Sequence, residues 1–242
     1  MTKVRALVAA AGSGTRAGLP YPKTLHPVRG RPILLRLIER LSAVDPHPTV
    51  IVSPSGRAPI ADCLADAGVA ADLVEQAEPT GMGDAILAFR TAPAFADAEH
   101  VVLVWGDIPL LGQGTIDALV RAHLAGGNDL TLASRIVDQA YTRVERAAAG
   151  KVIALVETRE AGLALEPGER DIGLFVFRAL PLFDLLEQRL DGAIGRRTGE
   201  HGFLYIVRHL VEQGFQVEAL PIATDEDLVS LNRLSDLDGV DQ

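Results

Sequence analysis

Residues 4–23, V-R-A-L-V-A-A-A-G-S-G-T-R-A-G-L-P-Y-P-K, constrain the chain more than any other stretch. Val4 and the run 6–11 are apolar without alternation, the pattern of a strand buried on both faces of a parallel sheet. The run breaks into Gly12-Ser13-Gly14-Thr15-Arg16. Glycines there let backbone N–H groups approach a phosphate with no Cβ in the way. Arg16 adds a planar cation suited to bidentate phosphate contact. Lys23 follows a stiff Pro20-Tyr21-Pro22 turn. Two other phosphate loops are excluded. No G-x-x-x-x-G-K-[ST] is present. Gly12, Gly14 and Ala17 fit the loose G-x-G-x-x-[GA] pattern, but that pattern opens directly into a helix, and Pro20, Pro22 and Pro27 block one. The loop is therefore expected to be long and irregular and to wrap its ligand.

At 242 residues and 48% hydrophobic, the chain can bury a core and is too apolar to be disordered. No apolar run approaches a membrane span, and Met1-Thr2-Lys3 leads into the first strand with no room for a signal peptide. A cytoplasmic location is the resulting expectation. Cys63 is the single cysteine, which excludes an internal disulfide framework, and it is expected to pack in the core. A net charge of −9 argues against nucleic acid as a partner. The charge is uneven, because residues 1–40 hold eight lysines and arginines against Glu39 alone. That distribution suits a positive mouth for a small polyanion.

Strands are expected at 50–52, 72–74, 101–104 and 130–133, alternating with helices from Ile33, at 58–67, up to about Arg90, and at 115–124. The alternation implies an α/β fold built on an open, mostly parallel twisted sheet. From about 138 the pattern changes to strands at 142–146, 152–156 and 172–177, helices at 180–190 and 203–213, and a last strand at 216–220. No repeat or linker interrupts the chain. A single domain, 1–242, is expected, with a nucleotide-binding half in 1–137 and an acceptor-binding lobe and closing helix in 138–242. His26, His47 and His100 fall in no zinc-ligand spacing and are expected on the surface or in loops.

Two loops after strands carry chemistry of their own. Gln76 has both a donor and an acceptor for a base edge, and Gly81, five residues on, lets a base lie close to backbone. The same segment also reads as a plain helix start. Asp107 follows the strand at 101–104, where an acid is well placed to hold Mg²⁺ or, equally, to cap a turn.

A-A-G-S-G-T-R followed by P-K resembles the signature loop of the sugar-phosphate nucleotidyltransferases, and is most similar to the uridylyltransferase (pyrophosphorylase) domains that make UDP-N-acetylglucosamine. The resemblance covers nearly the whole chain. It implies a Rossmann-like fold of the nucleotide-diphospho-sugar transferase type. It implies transfer of UMP from UTP to a sugar 1-phosphate, with pyrophosphate released and Mg²⁺ as cofactor. Arg16 and Lys23 would then be catalytic. Ala9, Ala10, Ala11, Gly12, Ser13, Gly14 and Thr15 would meet the nucleotide from the first loop, and Gln76, Gly81, Met82, Trp105 and Gly106 from the next two. Asp107, within W-G-D-I-P-L, matches the metal ligand of [YF]-G-D-x-P-L. Asn232 matches the second ligand by its distance from Leu237; matching Arg233 to the family's arginine puts Leu231 there instead, and an asparagine also caps helices.

On the acceptor side the resemblance implies Thr142, Glu157 and Asp171 as sugar contacts, although the family has glycine and asparagine where Thr142 and Asp171 stand. Met82 replaces a threonine, and G-E-Y-Y is Gly199-Glu200-His201-Gly202 here. The departures at Thr142, Asp171 and His201-Gly202 cluster at the sugar, which suggests an acceptor other than N-acetylglucosamine 1-phosphate, while Met82, in the base-reading loop, weakens the case for uracil. Arg196 and Arg197 are expected to close over the phosphates. The bifunctional relatives continue into an acyltransferase domain, and an end at Gln242 predicts that this second activity is missing. The expected partners are a nucleoside triphosphate and a sugar 1-phosphate, with no nucleic acid or membrane, and with homo-oligomerisation left open. Rival readings are a cytidylyl- or guanylyltransferase for another phosphorylated acceptor, and a catalytically silent nucleotide-sugar-binding regulator.

Overall fold

The computed structural model describes residues 2–12, 14 and 17–240. The opening apolar run forms β1 (Val4–Ala9), with Ala6, Leu7 and Val8 fully buried. A 3-10 turn at Lys23–Leu25 and a short ribbon of β2 (Pro27–Val28) and β3 (Arg31–Pro32) lead into α1 (Ile33–Leu41). The helix turns Ile33, Leu34, Leu37, Ile38 and Leu41 into the core, as their spacing requires. The alternation then runs β4 (Thr49–Val52), α2 (Pro54–Asp66), β5 (Asp72–Glu75), α3 (Met82–Leu87), β6 (His100–Trp105), α4 (Gln113–Gly126) and β7 (Leu130–Val137). α2 starts four residues before the predicted 58. Ser53 caps it by accepting from Gly56 N at 3.1 Å, and Pro54 fits its first turn.

The second half adds β8 (Thr142–Arg146), β9 (Val152–Glu157), α5 (Thr158–Ala161), β10 (Gly168–Arg178), α6 (Ala179–Glu187), α7 (Ile206–Glu212) and β11 (Val217–Leu220). The main sheet has the order β11-β7-β10-β6-β1-β4-β5. Its pairs are parallel except that β10 runs antiparallel to both β6 and β7. The second half thus supplies β10 and β11 to the main sheet, and β8 and β9 form a hairpin outside it. Helices cover both faces. α1, α2 and α4 pack with Ala6 and Val8 on one face, and α3, α6 and α7 pack with Leu7 on the other.

Two expectations are corrected. The closing helix is, among the described residues, only a 3-10 turn at Leu234–Leu237, tightened because Asp236 Oδ2 accepts from Asn232 N at 2.9 Å and Arg233 N at 2.7 Å. His100 is not a loop residue. It opens β6, half-buried, with Nδ1 2.8 Å from Nε2 of the fully buried His123. Cys63, on α2, is partly buried and packs against the core, as expected. No helix among the described residues is long and apolar enough to cross a membrane.

Because β1 lies between β4 and β6, with Ala9 opposite Trp105, the glycine loop and Trp105-Gly106-Asp107 emerge side by side. They do so at the carboxyl edge of the sheet, where open α/β folds bind ligands.

Candidate active site

Lys23 opens its 3-10 turn behind Pro22, whose fixed φ sets the direction of entry. The lysine stem passes over Gly12, with Cε 3.2 Å from where a Cβ on that glycine would stand. Its ammonium forms an ion pair with Asp107 Oδ2. Asp107 is 8% exposed, and its loop is tied on both sides. Gly106 N donates to Ala9 O at 2.9 Å, and Leu231 N donates to Asp107 O at 2.8 Å. The other carboxylate oxygen, Oδ1, is buried and has no hydrogen-bond partner among the described residues. An orphaned carboxylate oxygen is costly by itself and is a ready cation ligand. Ser13, Thr15 and Arg16 lie outside the described residues.

Mg²⁺ is commonly held by one or two carboxylates and completes its shell with substrate phosphates and water. Asp107 fits that mode through Oδ1. Among the described residues no group of three or more His, Cys, Asp or Glu could hold a metal on its own. Asn232 adjoins Leu231 and so lies near Asp107, but its side chain is exposed, with Nδ2 3.3 Å from Ser230 Oγ. Leu231, the other match, points a fully buried side chain into the core.

Gln76, expected to read the base, follows β5, is 8% exposed, and donates from Nε2 to Gly81 O at 2.9 Å, closing its own loop. Gly81 has φ +121°, and a Cβ there would overlap the His201 backbone, whose nitrogen lies 2.7 Å from that point. The glycine is therefore required by a protein neighbour on that side rather than by an open face. His201 N donates to Thr80 O at 2.7 Å, and Gly83 N donates to His201 O at 2.9 Å. The His201 ring, 1% exposed, sits between Asp84 Oδ1 at 2.8 Å and the Tyr205 hydroxyl at 3.2 Å. Arg189 Nη2 also donates to Asp84 Oδ1 at 2.8 Å. Burial works to raise the Asp84 carboxyl, but hydrogen bonds from His201 and Thr80 outweigh it and hold it below its ordinary value. Burial pushes the Tyr205 phenol up to about 12. His201 is thus a post beneath the base-side loop.

Met82 opens α3 against the core. Ala10 is buried, with its N–H on Ile51 O at 2.9 Å, and Ala9 and Ala11 are half-buried beside it. Trp105 packs on Phe175, with ring centroids 6.0 Å apart, and its indole Nε1 is buried without a hydrogen-bond partner among the described residues.

Glu157, expected to contact the acceptor, ends β9, open to solvent yet crowded by neighbouring protein. That crowding, then the nearby Glu160 carboxylate, raises its carboxyl above the ordinary value. Thr142 and Asp171 are 2% and 0% exposed and are occupied with each other. Thr142 Oγ1 donates to Asp171 Oδ1 at 2.5 Å, and Gly173 N donates to Oδ2 at 2.8 Å. Burial raises the Asp171 carboxyl. Arg196 and Arg197 are exposed, and Arg197 N donates to Glu160 Oε2 at 2.7 Å. The residues beside Thr142 and Asp171 escaped the sequence reading. Tyr141 and Arg170 stack, with the guanidinium carbon 4.0 Å from the ring centroid. They line a cavity of about 530 Å³ together with Ser230, Asn232, Arg233 and Asp236. Arg170 lies two residues before the strand expected at 172–177, in a charged Gly168-Glu169-Arg170-Asp171 stretch that gives no local signal of burial.

An open α/β sheet with a glycine loop and a lysine–aspartate pair at its carboxyl edge is the arrangement of a nucleotide-dependent transferase. Residues 6–166 match the model of the MobA-like NTP transferase domain, and the chain belongs to that family of nucleotidyltransferases. The bifunctional protein GlmU of Leifsonia xyli subsp. xyli is 35% identical over 222 residues, covering 90% of this chain and 45% of the relative. GlmU of an Exiguobacterium species is 30% identical over 232 residues, covering 94% of this chain and 49% of the relative. The chain spans about half the length of the curated relatives it matches. Two solved structures share the fold. A putative glucose-1-phosphate thymidylyltransferase from Bacillus anthracis has a TM-score of 0.74 at 15% identity, over 98% of this chain and 94% of its own. The inositol-1-phosphate CTP transferase of T. maritima has a TM-score of 0.65 at 16% identity, over 90% and 85%.

Proposed function

We propose that this protein transfers a nucleoside monophosphate, with UTP the favoured donor, to a sugar 1-phosphate, releasing pyrophosphate with Mg²⁺ as cofactor. The observation that carries the reading is the Lys23–Asp107 pair beside the glycine loop, with Asp107 Oδ1 left unpartnered among the described residues. In the reaction an acceptor phosphate oxygen attacks the α-phosphorus in line. The bond from that phosphorus to the bridging oxygen breaks, and pyrophosphate leaves with its electrons. No protein nucleophile is needed. The work left to the chain is to bring two polyanions together and stabilise charge on the equatorial oxygens.

Gly12, Ser13, Gly14, Thr15 and Arg16 would hold the β- and γ-phosphates. Lys23 would exchange Asp107 for oxygens of the α-phosphate and of the incoming phosphate. Asp107, with Asn232 nearby, would hold Mg²⁺, which when bound screens the charge between the reactants. Ala9, Ala10, Ala11, Gln76, Gly81, Met82, Trp105 and Gly106 would bind the nucleoside, and Glu157 the acceptor hydroxyls. Thr142 and Asp171 would act on the acceptor by shaping the wall behind it, since their polar atoms already bond inward.

The test is pyrophosphate release with Mg²⁺, each of the four nucleoside triphosphates, and a panel of sugar 1-phosphates. Release with UTP and one sugar is expected. Release only with CTP or GTP would keep the chemistry and overturn the base assignment. Met82 in the threonine position and the His201 post in place of tyrosines favour that second reading, in which the acceptor is another phosphorylated polyol. Nucleotide binding without release from any pair would point to the silent regulator.

A further inference from the structure

We propose that the Arg170 guanidinium, stacked on Tyr141, is the seat for the phosphate of the acceptor. The proposal rests on the nucleotidyl-transfer reading above. Arg170 is only 9% exposed and has no carboxylate at ion-pair distance among the described residues. Its hydrogen bond to backbone is a long one, Nη2 to Leu228 O at 3.4 Å, the Tyr141 hydroxyl and the Asp171 charge lie close by, and Nε is buried with no partner among the described residues. A guanidinium offers five donors, and burying its charge unpaired is unfavourable. The fold can satisfy such a group where it has to. Arg146, on the neighbouring β8, spends its guanidinium on Glu169 at 2.7 and 2.8 Å, on Gly150 O and on Ala219 O. Arg170 is left with its donors available.

Its position gives those donors a use. Arg170 and Tyr141 are the chain neighbours of Asp171 and Thr142, which the reading above sets behind the acceptor, and they line a cavity with Asn232, next to the Leu231 that bonds Asp107. The segment over the cavity is anchored at Leu228, on Arg170, and at Leu231, on Asp107. Three residues span at most about 11 Å, so the two anchors lie within the reach of one phosphorylated sugar. The cavity of about 530 Å³ holds a phosphate and the first ring behind it. Asp236, the acid on that lining among the described residues, already accepts two backbone amides through Oδ2. Lys23 and the glycine loop serve the donor nucleotide, and a second cation on the opposite wall lets an acceptor phosphate approach against the repulsion of the triphosphate.

Arg170→Gln and Arg170→Lys in the full chain test this. Once pyrophosphate release has identified a donor and an acceptor, R170Q should raise the acceptor KM by ~10- to 100-fold, the loss of one charged hydrogen-bonded contact, with the nucleotide KM little changed. R170K should recover part of the loss. Inorganic phosphate should compete with the acceptor in the wild type and lose potency on R170Q by the same factor. The melting temperature of R170Q should equal or exceed that of the wild type, because an unpaired buried charge is removed; a merely structural arginine would lower it. An unchanged acceptor KM, or an equal rise in both KM values, overturns the proposal. Failure of the function reading is seen separately, as a wild type inactive with every pair. Even then, a rise in melting temperature on adding inorganic phosphate to the wild type, absent from R170Q, supports the anion seat, and an equal rise in both overturns it.

Discussion

Replacing Gly81 with alanine tests how the base-side loop is held. Its φ of +121° lies where an L residue is strained by ~1–3 kcal/mol. The new Cβ would stand 2.7 Å from the His201 nitrogen and closer still to its carbonyl oxygen, against an optimum of about 3.5–4.0 Å for carbon contacts. The neighbour is backbone, so no side chain can swing away. Parting the two segments by roughly 1 Å strains the bonds from His201 N to Thr80 O and from Gly83 N to His201 O, each worth about 1 kcal/mol net. The combined loss is about 3–5 kcal/mol, or a fall in melting temperature of roughly 6–20 °C at this chain length. Gly68→Ala is the control. Its φ is +63°, but nothing lies within 4 Å of the new Cβ, so only the backbone strain of ~1–2 kcal/mol applies. Thermal melts of both variants and the nucleotide KM are the assay. A Gly81→Ala chain that melts with Gly68→Ala and keeps its nucleotide KM would refute the contact-based reasoning.

Lys23→Ala and Asp107→Ala should each cut turnover by ~10²–10³-fold, the scale of one lost electrostatic group, while circular dichroism stays native; normal turnover in either sinks the mechanism. Asp171→Asn restores the residue the family carries, and the amide can still accept from Gly173 N and donate to Thr142. Because burial raises the Asp171 carboxyl, the folded chain binds that proton more readily than the unfolded one, so this group's contribution weakens as pH rises through the window above 3.8. D171N should therefore melt no lower than the wild type at pH 7–8, and a clear drop there would contradict the assigned burial. Burial first, then His100, holds His123 down to about 4 from 6.5. The unfolded chain takes up that proton first, so stability is complete above pH 6.5 and is lost as pH falls toward 4, by about 3 kcal/mol in the limit. Melts between pH 4 and 7 should show this slope, flattened in His123→Gln.

The strand-and-helix alternation up to 133 was legible in the sequence because local periodicity sets it. The buried run of β1, the helical spacing of α1 and the glycine loop followed by Lys23 are each short-range patterns. Asp107 was legible for the same reason, as an acid just past a buried strand. Local patterns say nothing about which strands pair. The insertion of β10 between β6 and β7, running against both, is decided by long-range packing, and with it come the contacts of Asp171 with Thr142 and of Arg170 with Tyr141. Only the fold shows that Lys23 meets Asp107, 84 residues away, or that His201 fills the space beside Gly81. The sequence by itself determined the class of chemistry, because phosphate binding needs glycines and cations close together along the chain. The tertiary structure decided which polar groups stay unsatisfied. Asp171 looked available and is closed off by Thr142 and Gly173, whereas Arg170, which the sequence did not single out, keeps a buried Nε without a hydrogen-bond partner among the described residues. Satisfaction of a buried group depends on what the rest of the chain brings within hydrogen-bond reach, and no residue carries that information alone.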